Sequence, residues 1–213
     1  MSNVPRIILA SASPRRLQLL RSLDFDVEVK PSTYEEPDHP DLTPRELAVV
    51  HARHKCENVR ASIPEREAAC LIIAADTVVD VDGVAYNKPA DEAGAKRMLR
   101  TLSGRTHIVH TAFALAVPRH DDLIEQCEST FVTFFPLSDA EIDAYVASKE
   151  PMDKAGAYGI QGYGATLVER VEGDFYTVMG FPLARFVRTL YRLGIALPIT
   201  NASAVTIAQH RPG

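Results

Sequence analysis

The 213-residue sequence has no tryptophan and only 3 cysteines, Cys56, Cys70 and Cys127. Thiols this few and this widely spaced make neither a disulfide framework nor a CxxC-type zinc site. They read as reduced thiols, and a cytoplasmic setting is the expectation. Long hydrophobic runs are missing too. Leu71–Ala75 and Ala112–Val117 are far short of the roughly 20 residues that span a bilayer. No apolar stretch of signal-peptide length follows Met1–Arg6, so the sequon Asn201-Ala202-Ser203 is expected to stay unmodified. Basic charge is not in excess: 23 Lys and Arg face 28 Asp and Glu, for a formal charge of -5. That argues against a wholesale grip on a nucleic-acid backbone, while a local basic pocket stays open. The 7 tyrosines and 8 phenylalanines are not interleaved with basic runs. Neither a nucleic acid nor a membrane is therefore expected as a partner. The patterns GxxxxGK[ST], HExxH and GxSxG are absent, which removes P-loop NTPases, zincin proteases and α/β-hydrolases.

What is present is ordinary globular material, 46% hydrophobic and 24% charged. Arg6–Ala10 reads as a short buried strand. Ser13 then caps a helix that has Pro14 at its first position. Asp26–Lys30 alternates like a strand, and Thr43-Pro44-Arg45-Glu46 is a capping box that opens a helix to about Ser62. Cys70–Asp80 is strand-like, Asp82-Gly83 a hairpin turn, Asp91 a helix cap and Ser103-Gly104 a stop. Thr106–Val117 and Leu123–Phe135 read as an antiparallel pair around a turn at Arg119–Asp122. A second capping box at Ser138–Glu141 opens a helix to about Ser148. A Gly-rich stretch, Gly156–Gly164, precedes a strand at Ala165–Val171, and Pro182–Leu193 is the last helix. This mixture predicts an α/β fold with a mixed sheet: one domain of two lobes over residues 1–195, and a flexible tail over 196–213.

Four segments carry chemistry. Ser11-Ala12-Ser13-Pro14-Arg15-Arg16 joins a strand to a helix N-terminus, where free N–H groups, two hydroxyls and two guanidinium groups suit an anion. An ordinary capped helix with solvated arginines is the alternative. Leu71–Thr77 ends an apolar run in Asp76, which is expected near the end of a buried strand as a metal ligand, a general base or a simple turn cap. Glu35-Glu36 sits in a Pro-rich loop, and Lys55 and Lys88 are unremarkable singly. Asp153–Gly162 places three glycines close to Gln161, whose amide both donates and accepts. Gly162-Tyr163-Gly164 lacks the third glycine and the helix of a dinucleotide fingerprint.

In their order along the chain these segments resemble the Maf family, septum-formation-inhibitor homologues that act as nucleoside triphosphate pyrophosphatases. The resemblance rests on Leu9–Arg16, Glu35-Glu36, Ala52–Lys55, Ala75–Val79, Lys88-Pro89, Met98–Gly104, Asp153–Gly162 and Gly180–Leu183, and it spans about residue 6 to residue 193. It implies a two-lobed fold like that of the inosine triphosphate pyrophosphatases, with a central cleft and a homodimer. It also implies hydrolysis of a nucleoside triphosphate to monophosphate and pyrophosphate with a divalent metal, Mg²⁺ or Mn²⁺. By the same resemblance Asp76 is the proton acceptor and, with Glu36, a metal ligand. Ser11, Arg16, Lys55 and Lys88 cradle the triphosphate, while Arg15, Thr77 and Gln161 select the base.

The family divides into enzymes preferring dTTP and UTP and relatives preferring 7-methyl-GTP. Arg15, Thr77 and Gln161 together resemble the first type. Chemistry agrees, since one Gln amide accepts from N3–H of a pyrimidine while donating to O4. A methylated, cationic purine calls for an acidic or aromatic wall instead; these three positions hold no acid, while Tyr158 and Tyr163 keep an aromatic wall open. A 7-methyl-GTP enzyme and a non-enzymatic nucleotide-binding regulator of cell division remain the alternatives, and a house-cleaning role against modified nucleotides accompanies the main reading.

Overall fold

The computed structural model describes residues 6–37, 39–64, 70–118 and 120–198. Arg119 in the expected turn, the sequon and the tail beyond Pro198 lie outside the described residues. In chain order the elements are β1 (Ile7–Leu9), α1 (Pro14–Arg21), β2 (Val27–Val29), α2 (Pro44–Ala61), β3 (Leu71–Val81) and β4 (Val84–Tyr86). Then follow α3 (Glu92–Leu102), β5 (Thr106–Ala116), β6 (Ile124–Phe134) and α4 (Asp139–Ala147). Three 3-10 turns come next, then β7 (Val168–Glu172), α5 (Phe175–Met179) and α6 (Leu183–Arg192). The local signals act as read. Ser13 accepts the Arg16 N–H with Pro14 at the first helical position, and both capping boxes close, Thr43 with Glu46 and Ser138 with Glu141. No helix among the described residues is long and apolar enough to cross a membrane.

Among the described residues the strands form one mixed sheet in the order β2-β1-β3-β5-β6-β7, with β4 added to β3. β1 runs parallel to both β2 and β3, and every other pairing is antiparallel. Strand alternation divides the core between the two faces. Leu71, Ile73 and Ala75 face Leu19 and Leu20 of α1 and Phe186 and Leu190 of α6. Ile72, Ala74 and Val78 face Leu47, Ala52, Cys56 and Val59 of α2. At the far end of the sheet, Val79, Val109 and Phe134 pack against Leu99 of α3 and Val146 of α4.

β3 is the element that makes room for a site. One of its edges pairs with β5 from Ile72 to Asp80. The other edge takes β1 only at Leu71–Ile73 and β4 only at Val79–Val81. Among the described residues, positions 74–78 therefore have no strand partner on that edge, and a cleft opens along it where β1 has turned into α1.

Three expectations are corrected. Asp76 is not near the end of its strand but in the middle of an 11-residue one. What it lies beyond is the end of the parallel neighbour β1, which pairs no further than Ile73. Residues Gly162–Leu167 coil as a 3-10 turn, so the last strand begins at Val168 rather than Ala165. The Glu150 carboxylate gathers the Tyr163 and Gly164 N–H groups at 3.0 Å each and pulls this segment into a coil. A Cβ at Gly164 would lie 2.2 Å from the Gly159 carbonyl oxygen, so only glycine fits there. Finally, Phe175–Met179 forms a short helix where no element was expected, capped by Asp174 and stopped by Gly180 at φ +105.

Candidate active site

The cleft at the open edge of β3 has a volume of about 580 Å³ and is lined by Ser11, Arg15, Arg16, Glu36, Lys55, Asp76, Thr77, Lys88 and Gln161, but not by Glu35. That size suits a small-molecule ligand. The cleft walls come from the β1–α1 turn, the loop and helix around α2, the centre of β3, Asn87-Lys88 after β4, the Gly-rich stretch before β7, and the end of α5 at Val178–Gly180.

At the centre Lys55 of α2 reaches both acids. Its Nζ donates to Asp76 Oδ1 at 2.6 Å and lies 2.6 Å from Glu36 Oε1. Asp76 is 7% exposed, and its even position on β3 aims it at the α2 face. A carboxylate so enclosed needs a cation, and Lys55 is that cation. Burial pushes the Glu36 pKa up, but the Lys55 hydrogen bond and charge outweigh it, and the net direction is down. The Lys55 pairing thus adds stability above the ordinary carboxylate range and loses it as pH falls through the lowered Glu36 value. Among the described residues no protein group donates to Asp76 Oδ2, and Asp76 lines the cleft.

Arg16 organises the other wall. Its Nε donates to the Gly180 carbonyl at 2.8 Å, Nη1 to Ser11 Oγ at 3.1 Å and Nη2 to Thr77 Oγ1 at 3.2 Å. Desolvation lowers its pKa, opposed by the charge of Asp76, and it remains a cation. The hydroxyl directions follow from these donors. Ser11 Oγ accepts from Arg16 and from the Ser13 N–H at 3.2 Å, so its own proton is free to donate into the cleft. Thr111 donates to the Thr177 carbonyl at 2.7 Å. Thr77 must then donate to Thr111 at 3.0 Å while accepting from Arg16. Thr77 is placed as a structural link, with one lone pair left for a ligand.

Arg15 lies at the rim, 3.6 Å from Asp153, and Lys88 is exposed there. Gln161 is exposed and lines the cleft, and among the described residues its amide bonds to no protein group. It does not tie down its own loop. Tyr158, which opens that loop, is held by a 2.8 Å hydrogen bond to buried His107 and an edge contact with Phe134 at 4.7 Å between centroids. Burial brings His107 down to about 4, so it is neutral.

Sequence reading missed Tyr34, His51, Asn58, His107, Thr111 and the Gly180 carbonyl. Tyr34 and His51 line the cleft beside Lys55, their rings 5.9 Å apart. Burial lowers the His51 pKa and Lys55 adds to that, against the raising charges of Asp76 and Glu36. His51 falls one turn before Lys55 on α2, a spacing that could have flagged it.

The fold and the cleft together define a mixed α/β protein with arginine and lysine on the walls of its cleft and a carboxylate–ammonium centre at its base. Residues 6–193 match the family described as Maf-like protein, and the chain belongs to that family. It is 45% identical over 190 residues to the dTTP/UTP pyrophosphatase of Bacillus velezensis, which covers 89% of this chain and 97% of the relative. It is 46% identical over 193 residues to the dTTP/UTP pyrophosphatase of Thermus thermophilus, covering 91% and 97%. For the protein of that name from Carboxydothermus hydrogenoformans the identity is 47% over 189 residues, covering 89% and 99%. Among solved structures the Staphylococcus aureus Ham1 protein aligns over 76% of this chain and 79% of its own at 15% identity, with a TM-score of 0.44.

Proposed function

We propose that this chain hydrolyses dTTP and UTP to the monophosphate and pyrophosphate. The observation that carries the reading is the buried Asp76, bridged by Lys55 to Glu36 at the floor of a cleft with arginine and lysine on its walls. A triphosphate needs cations that a chain of net charge -5 must supply locally; Arg15, Lys55 and Lys88 line the cleft as cations, and the Ser11 hydroxyl adds a neutral donor. Asp76 Oδ2 takes a proton from water attacking the α-phosphorus, and pyrophosphate leaves. Lys55 holds the carboxylate in place through Oδ1.

A divalent cation fits the donor set. Two hard carboxylate oxygens already converge on one positive atom, the Lys55 Nζ. Among the described residues no cluster of three or more His, Cys, Asp or Glu side chains offers a closed protein cage. Mg²⁺ or Mn²⁺ held by one or two carboxylates and completed by substrate phosphates matches that pattern. Glu36 and Asp76 would hold it, and when bound it supplies neutralisation of charge on the phosphate oxygens.

The test is a panel of nucleoside triphosphates assayed with Mg²⁺ and Mn²⁺. Pyrophosphate release that is fastest from dTTP and UTP is the expected outcome. Orthophosphate release, or a preference for 7-methyl-GTP, overturns the reading. Gln161, with no protein partner, is the proposed reader of the pyrimidine edge. Gln161→Ala is expected to lower kcat/KM for dTTP and UTP by roughly 1–3 kcal/mol, with smaller losses on poor substrates. Equal losses on every nucleotide remove Gln161 from base selection.

A further inference from the structure

The residues before Glu36 are laced to one stripe of α2. Lys30 Nζ donates to the Ser62 carbonyl at 3.2 Å, at the C-terminal cap of the helix. Asn58 Oδ1, one turn earlier, takes three donors: Ser32 Oγ at 2.9 Å, the Thr33 N–H at 3.0 Å and Thr33 Oγ1 at 3.3 Å. The Tyr34 ring lies against His54 with centroids 5.2 Å apart, and Tyr34 Oη meets His51 Nδ1 at 3.3 Å. Glu36 ends on Lys55. Positions 51, 55, 58 and 62 follow helical spacing, so they form one continuous face of α2.

The lacing has a direction of cause. The Thr33 N–H can only donate, so it is the amide oxygen of Asn58 that faces the strap. With that acceptor fixed, Ser32 spends its proton on Asn58, and its oxygen accepts the Tyr34 N–H at 3.1 Å. A turn is thereby set at Ser32–Tyr34 that aims the Tyr34 ring at the helix. Glu36 follows two residues later, half-exposed, with Lys55 as its one ion-pair partner among the described residues and the charges of His51 and Lys88 acting on it from farther off. Its own ion pair is a weak tether for an exposed loop. The three-donor knot at Asn58 does the ordering.

We propose that Asn58 is a positioning residue that delivers Glu36 to the Lys55–Asp76 centre. It acts through the strap Ser32–Glu36 and touches neither substrate nor reacting atoms. The proposal rests on the reading of Glu36 as part of the active centre. Loss of the acceptor frees the strap, so the centre must order it anew each time it closes on nucleotide and metal.

The experiment uses the full chain with Asn58→Leu, which removes the acceptor at similar size, and Asn58→Asp, which keeps an oxygen. Each is combined with Glu36→Gln. Amide hydrogen exchange, read without nucleotide or metal, is expected to rise about tenfold at Thr33 and Tyr34 in Asn58→Leu and to stay near wild type in Asn58→Asp. The Mn²⁺ concentration giving half-maximal pyrophosphate release is expected to rise about fivefold in Asn58→Leu, with recovery in Asn58→Asp. In the Glu36→Gln background Asn58→Leu is expected to change it less than about twofold, because the two substitutions share one route. Equal effects in both backgrounds, or faster exchange without any change in Mn²⁺ dependence, overturn the proposal. A fully active Glu36→Gln enzyme overturns the reading of Glu36 itself, and that result stands apart from the exchange data.

Discussion

Asp76→Asn is expected to lower kcat for pyrophosphate release by roughly 10²–10⁴, while nucleotide affinity changes little. Asparagine keeps the shape of the side chain and an oxygen for the Lys55 Nζ, now 2.6 Å from Asp76 Oδ1. What disappears is the anionic Oδ2, the atom placed to accept a proton from water. The fold should tolerate the change, since Lys55 keeps Glu36 at 2.6 Å as its counter-charge. Removing one negative charge from the floor of the cleft also lessens repulsion of a polyanion, so dTTP binding measured without metal is expected to hold or tighten. Equilibrium binding of dTTP measured beside single-turnover pyrophosphate release separates the two effects. A variant that turns over at the wild-type rate removes Asp76 as the base. A nucleotide-binding regulator without catalysis predicts instead that the wild type releases nothing.

The parts of the fold and site legible in the sequence were those encoded within a few residues. Ser13, Thr43 and Ser138 each cap the helix that immediately follows, and Asp82-Gly83 sits at a turn whose strands pair Val81 with Val84. The site candidates were legible because their residue types suit phosphate and metal, and because their order resembled a family. Residues whose roles come from register and docking were not. Arg16 binds the carbonyl of Gly180, 164 positions away, and His107 meets Tyr158, 51 positions away. No local pattern announces either partner. Asp76 misled for a related reason. A carboxylate after five apolar residues reads as a strand end, because an unpaired charge inside a sheet is costly. Here β3 continues because the neighbouring strand has stopped and Lys55, a helix away in sequence, neutralises the acid. The segment Gly162–Leu167 misled through the Glu150 carboxylate, whose grip on two backbone N–H groups coils residues that alternate like a strand.

Arg16→Lys is the second substitution with a large expected effect, and it tests whether Arg16 is a ligand of phosphate or a keystone of the cleft. Its guanidinium spends three donors on three different elements, the β1–α1 turn at Ser11, β3 at Thr77 and the α5 terminus at Gly180. A planar fork reaches three acceptors at once, whereas an ammonium is a compact point of charge at the end of a flexible stem. Lysine would satisfy one or two of them and leave the others unpaired in a region that burial has dried enough to depress the arginine pKa. The Gly180 carbonyl is the hardest to replace. Gly180 has φ +105 and closes α5 as its left-handed cap, its N–H bonded back to Tyr176 and Thr177, so the direction of its carbonyl is set by that turn. The consequence runs along the hydroxyl relay. Without the Arg16 donor, Thr77 can reverse its proton, Thr111 loses a fixed donor, and Ser11 no longer has both lone pairs occupied. Stability is expected to fall by roughly 2–3 kcal/mol, about 4–12 °C in Tm for a chain of this size. The value of kcat/KM is expected to fall about 100-fold or more, because the Ser11 hydroxyl is then aimed at no one place. Thermal unfolding without nucleotide is the decisive measurement. A pure phosphate ligand replaced by another cation would leave Tm unchanged and raise only KM, and that result would reassign Arg16 from keystone to ligand.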